Sequence, residues 1–184
     1  MQVMYVDCRI AMYGNSGEDA ARVLAVVDMQ NDKVSISSIL PYRPPKNPYQ
    51  GKTAEQIEMI KKIEKSSVIV VDNPDAFSNW DLCFNEREHL DEAVKAFYSL
   101  DSMKVLELKK EVAERYNPRT VIEVRKMDLG GNVYELNSEE INNGYMAVLL
   151  TCWAAMRMRN TASMTQQSDP TAEDEDDFFV PFSV

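Results

Sequence analysis

Apolar residues alternate with polar ones over the first forty positions and then fall into helix-spaced sets. Residues 3–13 alternate loosely and are rich in Val, Tyr, Ile and Met, which predicts a strand. Gly14-Asn15-Ser16-Gly17-Glu18-Asp19 is a turn cluster. Residues 21–29 predict a second strand, with a short helix over 18–29 as the alternative, and Lys33–Leu40 predicts a third. Short polar turns between them imply an antiparallel meander. Pro41 to Gly51 holds four prolines and reads as an extended loop. Thr53 with Gln56 forms a capping-box signature for a helix to about Lys65, which turns Ile57, Ile60 and Ile63 to one side. Residues 67–72 are continuously apolar up to Asp72, as in a strand buried on both faces.

Residues 75–84 read as a loop with aromatic anchors. Asn85 with Glu88 offers a second helix start, with Leu90, Val94, Phe97 and Tyr98 inward. A break at Ser99–Ser102 leads to a further helix reaching Tyr116, with Val105, Leu108 and Val112 inward, and Asn117-Pro118 stops it. Residues 120–127 and 132–136 read as two strands about Gly130-Gly131. A last helix from Ser138 carries Tyr145, Met146, Val148, Leu149, Leu150, Trp153 and Met156; it is apolar on most sides, so it belongs in the core. The order predicts an α/β fold: a mixed sheet of about five strands, the first three antiparallel, covered by helices. Residues 1–158 form the expected single domain, and 159–184 an acidic, aromatic-tipped tail.

Charge is unevenly spread. The chain of 184 residues carries −10, yet 161–184 hold six of its acids and no Lys or Arg. The rest has 20 basic against 24 acidic residues, which is not the basic surface that nucleic-acid binding favours. No stretch approaches the roughly 18–20 apolar residues of a membrane span, and the N-terminus does not read as a signal peptide. Cys8, Cys83 and Cys152 are isolated, without C-x-x-C spacing, which argues against structural zinc and a disulfide framework. The chain reads as intracellular and cytoplasmic.

Within this pattern the carboxylates are the anomaly. Asp7 interrupts an apolar run, Asp72 closes another, and Glu139 and Glu140 open the last helix. Burying a lone charge costs several kcal/mol unless it is paired or bound to metal. Convergent acids on strands and a helix therefore suggest a divalent-cation site. The bland alternatives are that Asp7 pairs with Arg9, Arg22 or a lysine, that Asp72 is a strand-to-turn acid, and that the glutamates complement a helix dipole. His89 stands alone and reads as a surface or half-buried residue.

The element order resembles the ribonuclease H-like fold, and four short strings resemble its RuvC-type Holliday-junction resolvase branch. They are Tyr5-Val6-Asp7, Val70-Val71-Asp72-Asn73-Pro74-Asp75, Tyr116-Asn117-Pro118-Arg119-Thr120-Val121 and Glu139-Glu140-Ile141-Asn142-Asn143-Gly144-Tyr145-Met146-Ala147. The resemblance implies metal-dependent phosphodiester cleavage of branched or structured DNA, as in recombination. It implies Asp7, Asp72 and Glu140 as catalytic residues, and Asp7, Asp72, Asp75, Glu139, Glu140 and Asn143 as ligands of Mg²⁺ or Mn²⁺. Arg119 and Lys126 would contact the scissile strand. The chain departs from the family where Cys8-Arg9-Ile10-Ala11 replaces a glycine-bearing loop, and where Asn143 replaces an acid. An impaired site is part of the expectation.

The end of the chain, Asp176-Asp177-Phe178-Phe179-Val180-Pro181-Phe182-Ser183-Val184, resembles the acidic tips of single-stranded DNA-binding proteins. Phe178, Phe179, Pro181 and Phe182 are its partner-binding candidates, docking either on the chain itself or on a protein partner. Three functions compete: a resolvase-like nuclease; a non-catalytic acidic interaction protein, such as a viral inhibitor or DNA mimic; and a single-stranded DNA-binding protein. A homodimer is a further expectation. Basic residues Arg119, Arg125, Lys126, Arg157 and Arg159 gathered around the acids would favour the nuclease.

Overall fold

The computed structural model describes residues 3–14, 20–44 and 46–168. The turn expected at 14–19, beyond Gly14, and the aromatic tip at 178–182 lie outside them. Strands β1 (Val3–Ile10), β2 (Ala21–Asp28) and β3 (Lys33–Ile36) form the antiparallel meander that the alternation predicts. Val23, Ala25 and Val27 alternate inward along β2, so the helical alternative there does not hold. β3 is shorter than expected. The chain leaves the sheet after Ile36, and Leu40–Pro41 returns as β4 to pair with the start of β2.

Helix α1 (Ala54–Lys65) begins at Thr53 with both halves of the capping box formed. It buries no residue fully, and Ile57, Ile60 and Ile63 are only half-covered. β5 (Ser67–Val71) then enters parallel to β1, with Cys8 opposite Val70. Only Val70 and Val71 of this strand are buried, fewer than its continuous apolar pattern predicts. β6 (Leu82–Cys83) extends the sheet within the expected loop.

Helix α2 (Glu86–Ser102) starts where predicted, with the Asn85 side chain accepting from the N–H of Glu88. The helix expected next is instead β7 (Leu106–Leu108) followed by α3 (Lys110–Arg115). Lys104 ends α2 in a left-handed conformation (φ 58°), and the open edge of β3 takes Leu106–Leu108 as a parallel neighbour. Tertiary pairing thus overrides a helix-compatible local pattern. The sheet has seven strands, with β6-β5-β1-β2-β3-β7 in line and β4 beside β2. A 3-10 turn at Pro118–Thr120 precedes a separate hairpin, β8 (Ile122–Lys126) and β9 (Asn132–Leu136).

Helix α4 (Asn143–Ser168) begins later than Ser138 and continues past the expected tail boundary at 158. Glu139 and Glu140 therefore lie in the turn before it, where Asn137 Oδ1 accepts from both their N–H groups. The delay is set by Asn142, whose Oδ1 accepts from Tyr145 N. Met146 to Ala155 of α4, with α2, cover one sheet face around Val6, Cys8, Ile10, Val23, Ala25 and Val27. Trp153, Phe97, Leu149 and Leu150 are buried there. Each such side chain contributes about 1.5–3 kcal/mol, so this layer rather than α1 dominates stability. All three cysteines are unpaired, and among the described residues no helix is long and apolar enough to cross a membrane.

Gly144 makes the close contact that seats α4. A Cβ at this position would lie 2.3 Å from the Tyr116 ring, which also meets Tyr145 edge-on. Gly144→Ala is expected to lower unfolding free energy by about 1–3 kcal/mol through overpacking, read from the urea midpoint.

Candidate functional site

The parallel register of β1 and β5 distributes the acids. Because Asp7 stands opposite Ile69 and alternates with Val6 and Cys8, its side chain leaves the α4 face and points to the α1 side. There Arg22 grips it through Nε–Oδ1 at 3.0 Å and Nη2–Oδ2 at 2.9 Å, and Arg9 adds Nη2–Oδ2 at 3.0 Å. The Arg9 guanidinium also lies 5.2 Å from the centre of the Tyr42 ring. Asp7 is thus a buried anion held by two cations, the pairing that the sequence offers as its alternative to a metal. Burial works to raise its carboxyl pKa, but the hydrogen bonds from Arg22 and Arg9 outweigh that and hold it below the ordinary value.

Asp72 follows Val70 in phase and lies at the carboxyl end of β5. Both of its oxygens accept from the backbone where β1 ends: Ala11 N at 2.9 and 3.0 Å, and Met12 N at 2.7 Å. Burial still raises its carboxyl pKa, the N–H bonds offsetting this only in part. One residue further, Tyr13 N donates to Asn143 Oδ1 at 2.9 Å, and the Tyr13 hydroxyl donates to Glu86 at 3.2 Å. The exit of β1, the end of β5, the first turn of α2 and the start of α4 therefore meet at one place.

A cavity of about 780 Å³ opens there, lined among others by Tyr13, Asp72, Phe84, Glu86, Asp91 and Tyr134. Arg87 is the one Lys or Arg of its lining, against three acids. Sequence reasoning did not single out Tyr13, Glu86 or Asp91. Only the helix start at Asn85 marked the neighbourhood of Glu86.

The other predicted residues are dispersed. Asp75 is exposed beyond Asp72, and Glu139 and Glu140 are exposed in the turn before α4. Lys126 is exposed on the hairpin. Four of the five basic residues expected around the acids face acids elsewhere: Arg119 with Asp101, Arg125 with Glu135, Arg157 with Glu92 and Arg159 with Asp32. Among the described residues no group of three or more His, Cys, Asp or Glu is placed to hold a metal ion. His89 is half-buried, its Nδ1 accepting from Asn85 N.

No family model matches the chain. No curated protein matches it in sequence. Among solved structures it is similar to the large terminase nuclease from thermophilic phage G20c, at 12% identity and a TM-score of 0.45, with 81% of each chain covered. The same nuclease with bound magnesium gives 14% identity and 0.43, covering 80% of each chain. The large terminase nuclease domain of Thermus phage P74-26 gives 13% and 0.44, over 80% of this chain and 78% of that one.

The two aspartates have opposite linkage to pH. The lowered pKa of Asp7 gives stability that is present above the unfolded value and lost as pH falls through the folded one. The raised pKa of Asp72 gives a contribution present below the unfolded value and lost as pH rises through the folded one. Asp7→Asn, which leaves two guanidiniums without their anion, is expected to cost about 2 kcal/mol at pH 7. That is less than for a fully buried pair because the Arg22 side chain is 40% exposed. Its urea midpoint should also vary less than wild type between pH 5 and pH 3, and an equal slope would contradict the assignment.

Proposed function

We propose that this chain is a nuclease-type domain of DNA processing whose cutting centre is impaired, and that it works by binding a basic protein segment in the cleft over Asp72. The observation that carries the nuclease-type reading is convergence in space. The string around Asp72 and the string around Asn143 both engage the exit of β1, at Ala11, Met12 and Tyr13. The string at Tyr116 packs on Gly144. Three resolvase-like strings, far apart in sequence, thus assemble at one end of the sheet. The fourth, at Asp7, faces the opposite side.

Hard oxygen ligands are present, as Mg²⁺ or Mn²⁺ would require. Their placement does not fit a two-ion centre. Asp7 is neutralised by arginines across the sheet, Asp72 accepts three backbone hydrogen bonds, and Asn143 brings no charge.

Charge then selects the ligand. The cleft lining has three acids against one arginine, and with the Lys95 ammonium 2.7 Å from Asp91 the acids still outnumber the cations. It repels a bare phosphodiester and suits a lysine- or arginine-bearing segment, with Tyr13 and Tyr134 offering aromatic surface. In assays with 5–10 mM Mg²⁺ or Mn²⁺, the purified chain is expected to leave linear, single-stranded and four-way-junction DNA uncut. Ion-dependent cleavage that disappears in Asp72→Asn would overturn the proposal in favour of an active nuclease. A fluorescent oligo-arginine peptide should bind in low salt, and Glu86→Gln with Asp91→Asn should weaken it at least fivefold.

A further inference from the structure

The sheet face opposite α4 is half open. Directly paired residues share a face, so Leu40, Arg22 and Arg9 form one row, and Leu24 with Asp7 the next. Val26 with Tyr5 forms a third. α1 leaves much of this surface uncovered: Leu24 is 41% exposed, Val26 36% and Leu40 59%. Beside them stand two arginines for one aspartate, with Glu64 of α1 also facing Arg22.

The segment that leads from the sheet into α1 is positive in composition. Residues 33–65, which supply β3, β4, the proline-rich connection and α1, hold seven Lys or Arg against three Glu. Residues 169–184 are their complement, with six acids, no base and three phenylalanines. Connectivity allows the two to meet. Arg159 of α4 bridges Asp32 in the β2–β3 turn at 2.6 Å, so the helix leaves the body at the Val26 end of β2. It runs about 14 Å beyond Arg159, and sixteen extended residues reach up to about 50 Å, enough to return around the sheet edge.

We infer that residues 169–184 dock on this chain's own open sheet face, with Phe178, Phe179 and Phe182 against Leu24, Val26 and Leu40 and the preceding acids toward Arg22 and the positive connection. The contact covers apolar surface that α1 leaves bare, and it is independent of the cleft over Asp72. It predicts weakening by salt, because opposite charge brings the segment to its place.

The test uses the full chain with p-benzoylphenylalanine in place of Phe182 and ultraviolet crosslinking mapped by mass spectrometry. Crosslinks within the monomer to residues 22–26 or 40–42 are expected. Their yield should fall at least fivefold in 1 M NaCl and in Leu24→Asp, an exposed position whose folding is checked by circular dichroism. Arg22→Gln gives a second variant on the same face. Absence of crosslinks overturns the inference, as do crosslinks to the cleft or a yield indifferent to both variants. Crosslinks found only in the dimer band overturn it in favour of docking on a second copy.

Discussion

The molecule depends on the pairing of β1 with β5. With Cys8 opposite Val70, every second residue of both strands enters the layer under α4, and that layer holds the large buried side chains. The same register decides which acid meets which neighbours. Asp72, in phase with Val70, ends beside the exit of β1, whereas Asp7, in phase with Ile69, faces the other side. A slip of one residue would exchange the faces and expose the core, so the placement of the acids follows from burial itself.

Each acid is then stabilised by what its face offers. On the α1 side these are guanidiniums from neighbouring β positions, which tolerate partial exposure and give Asp7 a charge partner on both oxygens. At the sheet end these are peptide N–H groups that would otherwise lack partners where β1 stops pairing. Asp72 and Asn143 satisfy Ala11, Met12 and Tyr13 in turn. Side chains that could have met an ion instead hold the backbone together. The cleft above them keeps an excess of acid because α2 adds Glu86, which accepts from the Tyr13 hydroxyl, and Asp91, which pairs with Lys95.

Much of the fold was legible in the sequence because its signals are local. The capping box at Thr53, the cap at Asn85 and the alternation along β2 all act within a few residues. The misses are non-local. Leu106–Leu108 reads equally well as helix until the free edge of β3 is known, and the late start of α4 depends on the cap at Asn142. The candidate site divides in the same way. Asp72 and Asn143, both singled out in the sequence, accept from successive residues of the β1 exit. The position of Asp7 needs the interstrand register, which no single strand encodes. Arg9 and Arg22 were visible as its partners because both lie in the strands of one hairpin, directly opposite each other.

The strands at the two ends of the main sheet, β6 and β7, are two and three residues long. A longer edge would present a row of unpaired N–H and C=O groups on which a foreign strand could template. Here the last rungs are too short to register another chain, so self-association by sheet continuation is discouraged at both ends. The helices can therefore leave one broad sheet face partly bare without inviting neighbours to extend the sheet into a fibre.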